Sequence, residues 1–99
     1  ISFVPSRDIQ DIYRINIFGT LNLLGAASLI SPMPRFLLIS SSQVYGNVPA
    51  ANQPIRESAP VDPVNHYGAS KAAGESLARA FRAETGLPLV IIAPSRLTL

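Results

Sequence analysis

The sequence of 99 residues contains no cysteine, and His66 and Lys71 are its only histidine and its only lysine. Without cysteine the chain can form neither disulfides nor cysteine zinc sites, and this composition fits a reducing compartment. No apolar stretch approaches the roughly 20 residues that a bilayer span requires, and the first residues lack the basic-then-apolar order of a signal peptide. We therefore expect a cytoplasmic protein with no membrane partner and no metal site.

Clustered positive charge is also missing from the sequence. The eight basic residues are scattered along the chain and leave a formal net charge of only +2. Binding along a phosphate backbone requires a basic face with interleaved aromatic side chains, or a recognition helix. The sequence therefore predicts no nucleic-acid partner.

The first half of the chain contains a helical pattern followed by a strand pattern. Apolar residues recur at helical spacing from Ile9 to Leu29 and predict an amphipathic helix, with Asp8 as its N-cap. Pro32 and Pro34 end this helix, because proline disfavours the helical conformation in the residue before it. The continuous apolar run at residues 35–40 predicts a strand that is buried on both faces of a parallel sheet.

The second half repeats this order of helix and strand. A helix is predicted over residues 67–85, with Asn65 or His66 as a solvated cap and Gly86 at its end. The apolar run at residues 89–92 predicts a second buried strand. The charged residues of this helix are expected to form its solvated outer face, and they are Glu75, Arg79, Arg82 and Glu84.

The order helix, strand, loop, helix, strand predicts an α/β fold that is part of a Rossmann-type, doubly wound parallel sheet. Ligands of such sheets bind at the carboxyl ends of the strands. Ser40, Ser41 and Ser42 lie at one such end, and residues 93–96 lie at the other. The proline-rich connection at residues 44–65 is predicted to be a long functional loop, in which Tyr45-Gly46 turns the chain out of the strand.

Tyr67 and Lys71 stand one helical turn apart and are the strongest chemical pattern in the sequence. Tyrosine, with an ordinary pKa of about 10, is a poor base at neutral pH unless a cation or the positive charge of a dinucleotide is near. The ammonium of Lys71 can favour the phenolate from the same helix face. Ser41 or Ser42 can hydrogen-bond the same substrate oxygen across the crevice, so the pattern predicts proton transfer coupled to hydride transfer.

Four segments occur in a characteristic order: residues 16–24 (NIFGTLNLL), 39–46 (ISSSQVYG), 54–57 (PIRE) and 67–75 (YGASKAAGE). Together they resemble the middle of an extended short-chain dehydrogenase/reductase. More narrowly, the chain is similar to the NAD-dependent epimerase/dehydratase family of nucleotide-sugar enzymes, including its GDP-mannose 4,6-dehydratase and GDP-4-keto-6-deoxymannose reductase branch. The resemblance implies that residues 1–99 are an internal fragment of one NAD(P)-binding Rossmann domain, without the glycine-rich N-terminal motif and the C-terminal substrate domain.

The resemblance also implies roles for individual residues. Tyr67 would be the acid/base residue, and Lys71 would bind the nicotinamide ribose and lower the tyrosine pKa. Ser41 would orient the sugar hydroxyl, with Ser42 as the alternative for that role. Asn16 would shape the site through backbone hydrogen bonding.

The expected cofactor is NAD or NADP, and the expected partners are a nucleotide-sugar substrate and, in the full-length protein, a second copy in a homodimer. Tyr67, Lys71, Ser40 and Pro94 are the candidate cofactor-binding residues. The fragment alone is expected to be inactive and poorly folded.

Two departures from the family pattern bear on the reaction. Gln43 stands where 4,6-dehydratases usually have the glutamate that removes the C5 proton of the sugar, and an amide cannot act as that base. Gln43 is therefore a candidate substrate contact, and 4-keto reduction or epimerisation is favoured over dehydration. The family usually ends the last strand with Arg-Pro-x-Asn, whereas residues 93–96 read Ala-Pro-Ser-Arg. A non-catalytic dinucleotide sensor or scaffold is the alternative from another class.

Overall fold

A computed structural model describes residues 9–48 and 59–93 of the chain. The elements in chain order are α1 (Ile9–Tyr13), a π-helix (Arg14–Gly19), α2 (Thr20–Ser28), β1 (Phe36–Ile39), a 3₁₀ helix (Ser42–Tyr45), α3 (His66–Thr85) and β2 (Leu89–Ile92). This order confirms the predicted helix, strand, loop, helix, strand arrangement. Some positions with a predicted role lie outside the described residues, namely Asp8, the segment 54–57, Pro94 and residues 95–96. None of the described helices has the length and apolar character needed to cross a bilayer.

The predicted first helix is continuous but not uniform. Tyr13 and Gly19, at the two junctions, have helical backbone angles, so α1, the π-helix and α2 form one rod. The π-helix adds a wider turn in its middle and carries the buried residue Asn16. Apolar spacing did not predict this turn. Such turns occur frequently at functional sites.

Helix α3 has a defined cap at each end. The side-chain Oδ1 of Asn65 accepts a hydrogen bond of 2.7 Å from the backbone N–H of Gly68, which confirms Asn65 rather than His66 as the N-cap. Gly86 ends the helix with φ of 75°, a left-handed conformation that favours glycine, and its N–H donates to the carbonyl of Arg82. The buried face of α3 includes the small residues Gly68, Ser70, Gly74 and Ala78, which allow close approach of its neighbours.

The two strands pair in parallel, with Phe36 opposite Leu89 and Ile39 opposite Ile92. The backbone N–H of Ser40 donates to the carbonyl of Ile92 at 2.6 Å and extends the pairing past the strand end. Helices α2 and α3 pack on one face of this sheet. The buried core between these layers contains Leu24, Ala27, Ala78 and Leu87.

The other face of the sheet corrects the prediction that both strands are buried on both sides. Leu37 and Ile39 of β1 are 55% and 50% exposed, and Val90 and Ile92 of β2 are 43% and 42% exposed. Their neighbours Phe36, Leu38 and Leu89 pack against the core cluster on the helix side. The continuous apolar run predicted a strand with two covered faces, and the described residues supply a layer for only one of them.

Candidate active site

The serine-rich end of β1 lies where the chain turns from the sheet toward α3. Ser40 is buried, and its Oγ donates a hydrogen bond of 2.5 Å to Oε2 of Glu75. Ser41 is the N-cap of the 3₁₀ helix, and its Oγ accepts from the backbone N–H of Gln43 at 3.1 Å. Ser42 is the first residue of that helix. The turn after it is completed by Gly46, whose φ is 70°, as predicted for the Tyr45-Gly46 pair.

Tyr67 and Lys71 occupy the first two turns of α3. Tyr67 is only 9% exposed, and Lys71 is half-buried in a crevice whose lining includes Asn16 and Ser40. The structure therefore brings Lys71 and the first serine of the strand end together, as the sequence predicted. Ser40 directly follows β1, so this gap lies near the carboxyl end of the strand, where parallel sheets bind ligands, but the gap itself has no room for a water molecule.

The first turn of α3 also packs directly on the 3₁₀ helix. A Cβ added at Gly68 would lie 2.5 Å from the carbonyl oxygen of Gln43, so only glycine allows this approach. The side chains add a second link, because Nδ2 of Asn65 donates to Oε1 of Gln43 at 3.0 Å. Gln43 thus fixes the start of α3 relative to the Ser41 turn.

Asn16 contacts the Tyr67 turn through a buried serine. Its Nδ2 donates to Oγ of Ser70 at 3.0 Å, and Ser70 Oγ donates to the backbone carbonyl of Tyr67 at 2.7 Å. The resemblance implied a backbone role for Asn16, whereas the hydrogen bond found here comes from its side chain. Ser70 is fully buried and was not identified from the sequence. The sequence feature that could have identified Ser70 was its position between Tyr67 and Lys71 on a buried helix face.

Glu75 was predicted to lie on the solvated face of α3, and this prediction is wrong. The residue is only 4% exposed, because its turn of α3 lies over the end of β1. Oε2 accepts from Ser40, and Oε1 accepts from Nη2 of Arg79 at 3.0 Å. The helical spacing of charged residues did not distinguish this buried acid from its exposed neighbours Arg82 and Glu84.

Burial sets the direction of both pKa shifts at the site. It raises the pKa of Tyr67 above its ordinary 10.0, because the phenolate would lose hydration. It lowers the pKa of Lys71 for the corresponding reason, and the negative charge of Glu75 opposes that change. For Tyr67 this direction is opposite to the lowering that the resemblance implies, and a lowering by Lys71 stays a prediction.

His66 is exposed and begins α3. Its Nδ1 lies 2.7 Å from the hydroxyl of Tyr13, and the two rings meet edge to face with their centroids 5.6 Å apart. This contact joins α1 to the start of α3. Within residues 9–48 and 59–93, no three histidine, cysteine or acidic side chains come together in a way that would hold a metal ion.

The sequence profile of the GDP-mannose 4,6-dehydratase family matches residues 5–96. The chain belongs to this family of extended short-chain dehydrogenases/reductases. Among its relatives, GDP-6-deoxy-D-mannose reductase of Pseudomonas aeruginosa is 39% identical over 95 positions, which cover 94% of the chain and 31% of the reductase.

Solved structures of this family share the fold. RMD from Pseudomonas aeruginosa complexed with NADPH superimposes with a TM-score of 0.79 at 38% identity, covering 92% of the chain and 32% of that structure. UDP-glucuronic acid 4-epimerase from Bacillus cereus in complex with NAD gives a TM-score of 0.79 at 31% identity, covering 90% of the chain and 28% of that structure. These matches confirm the predicted Rossmann-type α/β fold. The chain spans less than a third of the length of these relatives.

Proposed function

We propose that this chain forms the catalytic part of an NAD(P)-dependent nucleotide-sugar oxidoreductase that acts as a 4-keto reductase or an epimerase. The observation that carries the proposal is the position of Tyr67 and Lys71 on the buried face of α3, with Lys71 in one crevice with Ser40. In this proposal residues 1–99 are part of one Rossmann domain of a cytoplasmic homodimer. Sedimentation equilibrium of the intact protein tests the dimer.

The polar side chains of Lys71 and Ser40 are chemically suited to the nicotinamide-ribose end of a dinucleotide. Lys71 offers ammonium donors at the carboxyl end of a parallel strand, and a half-buried ammonium is suited to ribose hydroxyls. Ser40 lines the same crevice, while Pro94, the other proposed contact, lies outside the described residues. Structural relatives hold NAD or NADPH. When bound, the cofactor accepts or supplies the hydride at the sugar carbon.

Tyr67 carries the proton in both directions of this reaction. In ketone reduction its neutral phenol donates a proton to the developing alkoxide, and burial, which raises the Tyr67 pKa, favours that form. In alcohol oxidation the same oxygen must first lose its proton. Burial, which raises the Tyr67 pKa, opposes that loss, and the positive charge of an oxidised nicotinamide would favour it.

Ser41 is the proposed group that holds the sugar oxygen for this transfer. Its Oγ already accepts from the N–H of Gln43, which uses one lone pair and leaves the hydroxyl hydrogen to donate. The same bond fixes the oxygen relative to the 3₁₀ helix, which the Asn65–Gln43 hydrogen bond ties to the start of α3. Ser42, one residue further into the 3₁₀ helix, is the alternative.

Gln43 is the residue that favours the proposed reactions over dehydration. Its Oε1 accepts from Asn65, and an amide at this position cannot remove a carbon-bound proton. The match to the dehydratase family favours dehydration as the second candidate. Incubation of the intact protein with GDP-mannose separates the two, and we expect no 4-keto-6-deoxy product. Formation of that product would replace the reductase or epimerase proposal.

Replacement of Tyr67 by phenylalanine tests the catalytic assignment. In the intact protein, Tyr67→Phe should lower kcat by about 10²- to 10⁴-fold, the usual contribution of general acid–base catalysis, and leave cofactor affinity nearly unchanged. Tyr13→Phe is the matched control, because it removes a phenol hydroxyl that contacts His66 outside the crevice. Turnover of Tyr67→Phe within a few-fold of wild type would contradict the assignment. Tight cofactor binding by wild type with no redox activity on any nucleotide sugar would favour a sensor or scaffold.

A further inference from the structure

Glu75 is a buried charge with no part in the proposed proton transfer. Among the described residues it is the only buried one that carries a formal charge, and a buried carboxylate is costly unless its oxygens are well bonded. Both of its oxygens are bonded here, one by the neutral hydroxyl of Ser40 at 2.5 Å and one by Arg79 at 3.0 Å. These bonds link the sheet edge to the outer side of α3.

The position of Glu75 relates this link to the proposed catalytic pair. Tyr67, Lys71, Glu75 and Arg79 follow one another at intervals of four residues, so each lies one turn beyond the last. The hydroxyl that Glu75 holds belongs to Ser40, which lines the same crevice as Lys71. One acid therefore contacts the strand end and lies one helical turn beyond Lys71.

The residues that line the crevice around Lys71 carry no negative charge, and Glu75 is not among them. Its remaining lining residues are Asn16, Thr20, Leu38, Ser40 and Gly74, and none of them is charged. On α3 itself, Tyr67 precedes Lys71 by one turn, and the cation of Arg79 lies beyond Glu75. Burial lowers the pKa of Lys71, and Glu75 is the group that acts against this effect. Loss of the Glu75 charge would thus lower the Lys71 pKa further.

We infer that Glu75 is a positioning residue, which holds the Ser40 strand end against α3 and places its negative charge one helical turn from Lys71. Its consequence for turnover rests on the proposed function, since it acts through Lys71. The charge is the essential property. A glutamine has nearly the same shape and keeps an oxygen acceptor, but it loses the electrostatic effect on Lys71.

The direct test follows the ionisation of Lys71 in the intact protein without substrate. Protein labelled with ¹³C at lysine Cε is titrated by NMR, and the Lys71 signal is assigned as the one lost in Lys71→Met. In Glu75→Gln the titration midpoint of Lys71 should move to lower pH, whereas Glu75→Asp, which keeps the charge, should stay close to wild type. Glu84→Gln is the matched control, because it removes an exposed acid from the same helix.

The variant Arg79→Met provides a second test, in which the expected shift of the Lys71 midpoint is opposite to that in Glu75→Gln. Removal of this cation leaves Glu75 charged and takes away the positive charge that pairs with it, so that the Glu75 charge acts on Lys71 with less compensation. The Lys71 midpoint should therefore move to higher pH. This variant decides the question if Glu75→Gln does not fold, and an unchanged or lowered midpoint in Arg79→Met would then overturn the inference.

Kinetics provide the functional readout. Glu75→Gln should lower kcat by roughly 10- to 100-fold, as misplacement of a reacting group does, with the sugar KM changed less than about twofold. A lowered melting temperature with an unmoved Lys71 midpoint would show a merely structural role and overturn the inference. Because the NMR titration needs no turnover, it gives the same answer whether or not Tyr67 proves to be the acid/base residue.

Discussion

At the scale of single residues, Tyr67 carries the phenol on which the proposed chemistry depends, and its surroundings oppose ionisation. Only 9% of the residue is exposed, and burial raises its pKa above the ordinary 10.0. The neighbouring ammonium of Lys71 is itself destabilised by burial, which lowers the Lys71 pKa. Without nucleotide the phenol is therefore neutral at physiological pH and ready to donate its proton.

The direction of the Tyr67 pKa shift can be measured by ultraviolet difference titration of the intact protein. Subtracting the titration of Tyr67→Phe from that of wild type isolates the Tyr67 signal, and tyrosinate should appear above the pH at which an ordinary tyrosine ionises. Saturating NAD⁺ should move the midpoint to lower pH, because a positive ring favours the phenolate. A midpoint below 10 in the nucleotide-free protein would contradict the structural account.

The sequence indicated those candidate site residues whose pattern is local. Tyr67 and Lys71 share a helix face at a spacing of four, and Ser40 ends a predicted strand, so each could be placed in advance. Glu75 and Ser70 could not, because their partners are 35 and 54 residues away in the chain. A helical residue with a distant hydrogen-bond partner looks like any exposed polar residue until the packing is known.

At the scale of elements, the start of α3 depends on the two hydrogen bonds of Asn65. Its Oδ1 caps the helix at Gly68 N, and its Nδ2 donates to Gln43. Asn65→Ala should lower the free energy of unfolding of the intact protein by about 1 kcal/mol, the usual cost of a lost N-cap. Chemical denaturation measures the change.

Asn22→Ala is the control for this prediction, because Asn22 is an exposed residue of α2 where alanine is the better helix former. It should leave stability unchanged or raise it slightly. Equal destabilisation by Asn22→Ala and Asn65→Ala would show that the cap bonds contribute little.

The sequence predicted the boundaries of the helices and strands closely. The one difference in structure lies inside the predicted first helix. The predicted helices and strands agree with the structure to within about one or two residues, because caps and apolar runs are local signals. The π-helix was not foreseen. Apolar spacing averages over several turns and is insensitive to one wide turn, whose buried residue Asn16 is bonded to a serine on another helix.

At the scale of the whole molecule, the uncovered sheet face limits what these 99 residues can do by themselves. Four aliphatic residues on that face are 42% to 55% exposed, although continuous apolar strands normally have two covered faces. The apolar surface buried on the helix side is small, and small cores rarely supply more than a few kcal/mol.

We expect the 99 residues expressed alone to show no cooperative thermal transition by circular dichroism and to bind a hydrophobic dye such as ANS. The intact protein is the control and should melt cooperatively without binding the dye. A sharp melt of the isolated segment, with no dye binding, would contradict the interpretation of the exposed face.

The π-helix has one more consequence for the molecule. Each residue advances an α-helix by about 100°, so the extra residue in the wide turn sets the rotational phase of α1 relative to α2. Deletion of one residue between Arg14 and Gly19 would leave α2 seated on its core and swing α1 around the rod axis. Tyr13 would then point away from His66. The length of this segment is thus constrained by angular alignment, so substitutions at its exposed positions, such as Ile15 and Phe18, are tolerated more readily than insertions or deletions.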